Sequence, residues 1–298
     1  VNPVTQEPVD VYVGGQKNNQ ACYWKNNQVV FLDNGLNSSA DTLFVANNDM
    51  HVLGKRYADN WIPDYLYWKN NVLTNLNDAL TTPDQIVRSI TGMDVVGTDV
   101  YFVGYTKTPF IAAEMYDLAY WKNGEKTVVA SGLNNPTVSS KIKVLNNSVY
   151  VMAQTSDCFD TCYGVYVDGV FQAVPIGVQL KDLATNNSEV YVYGTNFTTN
   201  NGYYKNITTG VETSSTTISS VENFQFDMGN LYYSTLFAIY KNATVVYGAP
   251  QNDILITFKV LENNMYVIEG SNSQTLKIND VISMTTAEDE RFTSLFVE

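Results

Sequence analysis

The chain has 298 residues, with 30 acidic against 17 basic side chains, one histidine and a formal net charge of −13. It is 45% hydrophobic but only 16% charged, below the roughly 25% usual for soluble domains. The apolar fraction supports a packed core and excludes wholesale disorder, the acidic balance leaves no cationic stripe for nucleic acid, and no run of 18 apolar residues offers a membrane span. Asparagine, with 33 residues, fills the gap left by charge. A surface wet by Asn, Ser and Thr is commoner in exported proteins than in cytosolic enzymes.

In chain order, residues 1–8 contain Pro3 and Pro8 and read as the tail of a linker, so the domain is expected over residues 9–298. A pattern then recurs: a polar residue, an apolar one, Tyr, an apolar one, and often Gly. It begins as Asp10-Val-Tyr-Val-Gly14, followed by Asp49-Met-His-Val-Leu-Gly54 and Asp99-Val-Tyr-Phe-Val-Gly104. It returns as Ser148-Val-Tyr-Val151, Glu189-Val-Tyr-Val-Tyr-Gly194, Asn230-Leu-Tyr-Tyr233 and Asn264-Met-Tyr-Val267. The seven central residues, 12, 51, 101, 150, 191, 232 and 266, are 34 to 50 residues apart.

A second motif follows each copy: Tyr23-Trp-Lys-Asn26, Tyr67-Trp-Lys-Asn70, Tyr120-Trp-Lys-Asn-Gly124, Tyr166-Val-Asp-Gly169, Tyr203-Tyr-Lys-Asn206, Ile239-Tyr-Lys-Asn242 and Lys277-Ile-Asn-Asp280. Asn and Gly tolerate positive φ, so these endings between two apolar runs predict tight hairpins. A third strand follows each turn, and a fourth apolar run precedes each next Tyr motif. The last such run, Phe292–Val297, has no motif after it, and the first motif has no run before it. Four strands per unit of about 40 residues predict an all-β, seven-bladed β-propeller of four-stranded antiparallel blades. Phe292–Val297 is then expected to close the ring on the N-terminal hairpin, removing open edges. The only stretch expected to make a helical turn is Ile111–Tyr116.

These motifs resemble repeats in secreted or lipid-anchored β-propellers of Bacteroidota-type bacteria, strongly in the first three units. The resemblance implies the fold and an envelope location, periplasm or cell surface, with a lipid anchor ahead of Val1 as one form of it. It implies no catalytic residue.

Chemistry has few candidates. His51 occupies a Tyr position of the repeat, so it is expected to fill a layer between blades. Cys22 sits in a predicted strand and reads as a small buried residue. Cys158 and Cys162 have a spacing that either closes a small disulfide loop or leaves two free thiols, and export favours the disulfide. Zinc is disfavoured because a structural site wants four ligands and there is no second Cys pair. Glu288-Asp289-Glu290 reads as a solvated turn before it reads as a calcium site. No cofactor is expected.

Function is sought where the repeat breaks, in the long connections of one face. There Tyr57, Asp59, Trp61 and Asp64 precede Phe110, Glu114, Tyr116 and Asp117, then Asp157, Phe159 and Asp160. Aromatic rings beside carboxylates suit a glycan or a protein partner. The sequence therefore predicts a non-catalytic extracytoplasmic binding or scaffold module with this asymmetric loop face. The alternative is a glycan-active enzyme using paired loop carboxylates, which need a separation of about 5 to 10 Å.

Overall fold

The computed structural model describes residues 9–32, 35, 37–57, 63–109, 115–134, 140–155, 162–215 and 218–298. These residues form seven antiparallel sheets of four strands, ordered from the axis outward. Blade one comprises Glu290–Val297, Val11–Lys17, Gln20–Lys25 and Gln28–Phe31. Blade two is Ser38–Ala46, Asp49–Tyr57, Pro63–Lys69 and Val72–Asn75; blade three is Ile86–Val96, Asp99–Lys107, Met115–Lys122 and Glu125–Asn134. Blade four is Lys141–Leu145, Ser148–Thr155, Cys162–Val167 and Val170–Ala173; blade five is Val178–Asn186, Glu189–Asn196, Asn201–Asn206 and Glu212–Ser215. Blade six is Asn223–Asp227, Asn230–Ser234, Ala238–Lys241 and Thr244–Gly248; blade seven is Leu255–Leu261, Asn264–Glu269, Thr275–Ile278 and Val281–Thr285.

The ring closes through the C-terminal strand, which pairs Val297 with Val11 and Leu295 with Val13. Asp10 and Glu298 exchange backbone hydrogen bonds of 2.8 and 3.1 Å at the end of this ladder. Phe292 packs edge-on against Trp24 at 5.0 Å, so closure also buries an aromatic pair.

The recurring residues form a clip. Asn26, Asn70 and Asn123 each start the turn after the third strand, and each accepts a hydrogen bond from a second-strand N–H, on Val11, Met50 and Val100, at 2.8 to 2.9 Å. Their amide groups donate to Asp10, Asp49 and Asp99 at 2.6 to 2.7 Å. Lys25, Lys69 and Lys122 pair with the same carboxylates at 2.6 to 2.8 Å. The polar residue that opens the Tyr motif is thus the anchor for the Lys-Asn that ends the second motif.

Eighteen asparagines among the described residues have φ between +46° and +76°. This left-handed region suits the hairpin turns and costs Asn less than most residues. The asparagine excess therefore has a conformational cause as well as a surface one.

The repeated glycine answers a steric demand. At Gly54, Gly104 and Gly194 a Cβ would lie 1.9 to 2.0 Å from an innermost-strand carbonyl oxygen, on Ser39, Ser89 and Gln179. The innermost strand bulges opposite each of them, and the bulge brings its backbone close. By this criterion Gly15, 1.9 Å from the Arg291 oxygen, is the equivalent residue in blade one, and Gly14 is not. Blade seven departs from the rule: Glu269 takes the position, opposite the bulge between Leu255 and Thr257.

Among the described residues one helix breaks the all-strand pattern, Leu76–Leu80, capped at its N-terminus by the Asn75 side chain. It lies in the connection from blade two to blade three and buries Leu76 and Leu80. The sequence expectation put a turn at Ile111–Tyr116 instead. Of that stretch, Met115 and Tyr116 belong to a strand and 111–114 lie outside the described residues. Five residues with three apolar positions, two of them buried, show too little periodicity for the helix to stand out.

Candidate functional site

The turns joining first to second and third to fourth strands emerge on one face, and the other two connections emerge on the loop face. Of the predicted site residues, Asp59, Trp61, Phe110, Glu114, Asp157, Cys158, Phe159 and Asp160 lie outside the described residues, as does the Cys162 side chain. The Cys158–Cys162 bond falls there too.

The rest are distributed unequally. Tyr57 is 42% exposed, with Lys55 Nζ 5.8 Å from its ring centre, so its far side remains presented. Asp64 is held by Arg56 at 3.0 Å. Tyr116 is buried with Leu118 and Leu133 in the core of blade three. Asp117 accepts a hydrogen bond from Gln85 Nε2 at 2.8 Å. Packing and pairing thus occupy Asp64, Tyr116 and Asp117, and Tyr57 is the described member of the set that faces solvent.

Among the described side chains, the two best suited to nucleophilic chemistry are sealed in. His51 is buried, its Nδ1 2.7 Å from the Tyr67 hydroxyl, and burial pushes its pKa down. Burial pushes the Cys22 thiol up to about 12, which suppresses the thiolate. Among the described residues no group of three His, Cys, Asp or Glu side chains converges as a metal site, Glu288–Glu290 included.

A cavity of about 850 Å³ opens at the seam of blades seven and one. The chain ends build it: Gln16, Asn18 and Asn19 from the start, Glu288–Thr293 from the end, and Gly270–Gln274 opposite them. Glu290 is tied to Lys17 at 2.7 Å and to the Ala287 N–H, which braces the wall. Gln274 Oε1 accepts from the Phe292 N–H and fixes a second wall. Asn18, Asn272, Glu288, Asp289 and Arg291 remain exposed around the opening, and Ile254 adds an apolar edge. Phe237 is 59% exposed beside this edge, its loop held by the Leu255 N–H donating to the Leu236 carbonyl at 2.8 Å. In sequence, Glu288–Glu290 reads as a solvated turn. Gln16, Asn18 and Asn19, which complete the cavity, lie more than 250 residues away, so no local signal links them to it.

Fold and closure define the class: a seven-bladed, four-stranded β-propeller closed by its C-terminal strand. No protein-family model matches the chain, and no curated protein does. Solved structures share the fold. The acylaminoacyl peptidase of Pyrococcus horikoshii matches with a TM-score of 0.57 at 10% identity, over 97% of this chain and 51% of that one. This chain thus spans about half the length of that peptidase. The β-propeller domain of the trilobed protease from Pyrococcus furiosus, described with an open velcro topology, matches with a TM-score of 0.56 at 11% identity, over 97% and 95% of the two chains. A candidate 6-phosphogluconolactonase from Bacteroides uniformis matches with a TM-score of 0.52 at 11% identity, over 98% and 100%. Identities this low establish the fold alone.

Proposed function

We propose that this propeller is an extracytoplasmic, non-catalytic binding module whose loop face takes a hydroxyl-rich ligand, an oligosaccharide, in the cavity between blades seven and one. The observation that carries this reading is the lining: amides from Gln16, Asn18, Asn19 and Asn272 beside the carboxylates of Glu288 and Asp289. Amides donate and accept, carboxylates accept, and a sugar hydroxyl does both. The concave shape favours a small ligand over the flat surface of a protein partner. The volume of about 850 Å³ suits a short oligosaccharide. Export is supported by the repeat resemblance and by the surface rich in Asn, Ser and Thr.

An oligosaccharide array, followed by calorimetry on any hit, tests the reading. The expected result is saturable binding that Asn272→Ala combined with Asp289→Ala abolishes at an unchanged melting temperature, with the sugar recovered intact. Cleavage of the sugar would make the protein an enzyme. Binding lost in Trp61→Ala but kept in the double variant would move the site to blades two to four. No bound glycan, with a stoichiometric envelope protein captured instead, would replace the glycan by a protein partner.

A further inference from the structure

A second cavity, of about 420 Å³, lies on the propeller axis. Innermost strands of blades one, two, four, five, six and seven line it. Four charged side chains reach it: Asp41, Lys143, Asp182 and Lys259.

Three of them have partners of their own. Asp41 pairs with Lys55 at 3.2 Å and accepts from the Ser39 hydroxyl at 2.7 Å. Lys143 pairs with Asp94 at 3.1 Å, and Asp94 also accepts from the Val144 N–H at 2.8 Å. Asp182 accepts from the Leu183 N–H at 2.7 Å. Lys259 makes no ion pair or hydrogen bond among the described residues, although its flanking residues Phe258 and Val260 are packed in the core. Lys17, Lys25, Lys55, Arg56, Lys69, Lys122, Lys143, Lys181, Lys205 and Lys277 all pair with carboxylates. Arg88, Lys126, Lys141, Lys241 and Arg291 also show no carboxylate partner among the described residues, but Lys259 differs from them in lining the confined axial channel of a chain of net charge −13.

We propose that the axial channel binds a small oxyanion, a carboxylate or a phosphate monoester, against the Lys259 ammonium, with Lys143 as a second cation beside it. The site is separate from the loop-face cavity and does not depend on it. Hydroxyls of Thr42, Thr185 and Thr257 line the same space and supply neutral donors. Burial first, and the nearby Lys143 charge second, lower the Lys259 pKa to about 8, while Asp182 opposes the fall. At pH 7 the group is therefore about 90% protonated, which suits it to hold an anion more than to act as a nucleophile.

Calorimetry on the full chain tests this, with acetate and inorganic phosphate as the two probes. One-site binding is expected at pH 7 with a Kd of about a millimolar or tighter, and it should vanish in Lys259→Met. The tighter of the two probes identifies the ligand class. Acetate keeps its charge between pH 7 and 9.5 while the protonated lysine fraction falls from about 90% to about 3%, so its affinity should drop about thirtyfold. No saturable heat with either probe overturns the proposal. So does binding that survives in Lys259→Met, or that is unchanged at pH 9.5. The pH series uses the native protein and decides the matter even if the variant fails to fold.

Discussion

Replacing Gly104 with alanine tests the account of the repeat most directly. Gly104 pairs with Ile90, where the innermost strand of blade three bulges between Ile90 and Gly92. An alanine Cβ would stand 1.9 Å from the Ser89 oxygen and 2.9 Å from its carbonyl carbon. The backbone of Gly104 is not left-handed, so the penalty is contact and not conformation. The obstacle is main chain held by its own ladder, which yields less readily than a side chain. Overpacking costs about 1 to 3 kcal/mol, and a backbone obstacle places this variant near about 3. At about 2 °C per kcal/mol for a chain of this size, the melting temperature should fall by about 6 °C. Gly248→Ala is the control, because nothing lies within 4 Å of its Cβ and its φ is not positive. It should be neutral or stabilising by about 0.5 kcal/mol through the unfolded chain. Urea melts followed by circular dichroism, with equal m-values, would measure both. If the two variants fall within about 0.5 kcal/mol of each other, close approach does not explain the conserved spacing of the motif glycine along the chain.

Three further outcomes follow from the same contacts. Glu269→Gln should cost about 3 kcal/mol in urea melts, because it leaves the Lys277 ammonium, 17% exposed, without the carboxylate that pairs with it beside Tyr247. Adding Lys277→Met should restore most of that loss, and no recovery would mean the triad is not the cause. Deleting 292–298 removes most of the innermost strand of blade one and should abolish cooperative unfolding, so a truncated chain that melts as sharply as the parent contradicts closure by this strand. Lys259→Met should be more stable than wild type at pH 7 by about 1 to 2 kcal/mol, less than the full shift implies because the channel admits water. The folded pKa of about 8 lies below the ordinary 10.5, so wild type gains stability as pH rises through that window and the gap between the two should close; a gap constant from pH 7 to 10.5 refutes it.

The ring was legible in the sequence because its signals are periodic or topological. The Tyr motif and the Lys-Asn turn recur since one clip, Asp10 with Lys25 and Asn26, is rebuilt in blades two and three, and its asparagine bond to the second strand returns in blades six and seven. The unpaired run at the C-terminus could be matched to the unpaired hairpin at the N-terminus by strand counting alone. What could not be read are features set by the partner strand. Gly15 follows Tyr12 by three residues, as Gly54, Gly104 and Gly194 follow residues 51, 101 and 191, so spacing already marks it; the bulge that forbids a Cβ there lies across the ladder and leaves no local trace. Tyr57 and Tyr116 look alike as aromatics at loop edges, yet the third strand of blade three begins at Met115 and turns Tyr116 into the core.

The two cavities were hidden for a related reason, and it bears on where binding sites in such rings arise. Lys143 and Lys259 share one register position of the innermost strand, opposite the central residue of the Tyr motif, where other blades carry Asp94, Gln225, Phe44 and Ala184, so no one side chain recurs there to mark the position in sequence. Their meeting at the axis requires blades four and seven to face each other across a closed ring. The seam cavity likewise joins Gln16–Asn19 to Glu288–Thr293, which are neighbours solely because the last strand completes the first blade. That seam is also the one place where the repeat is assembled from two chain ends. Its turn from second to third strand is cut to Asn18–Asn19, while the opposing connection from blade seven carries the acidic run. Closure by the C-terminal strand therefore does two things with one set of residues: it seals the sheet edges that would otherwise be open, and it brings Gln16–Asn19 beside Glu288–Thr293, a surface that no single stretch of the chain could build.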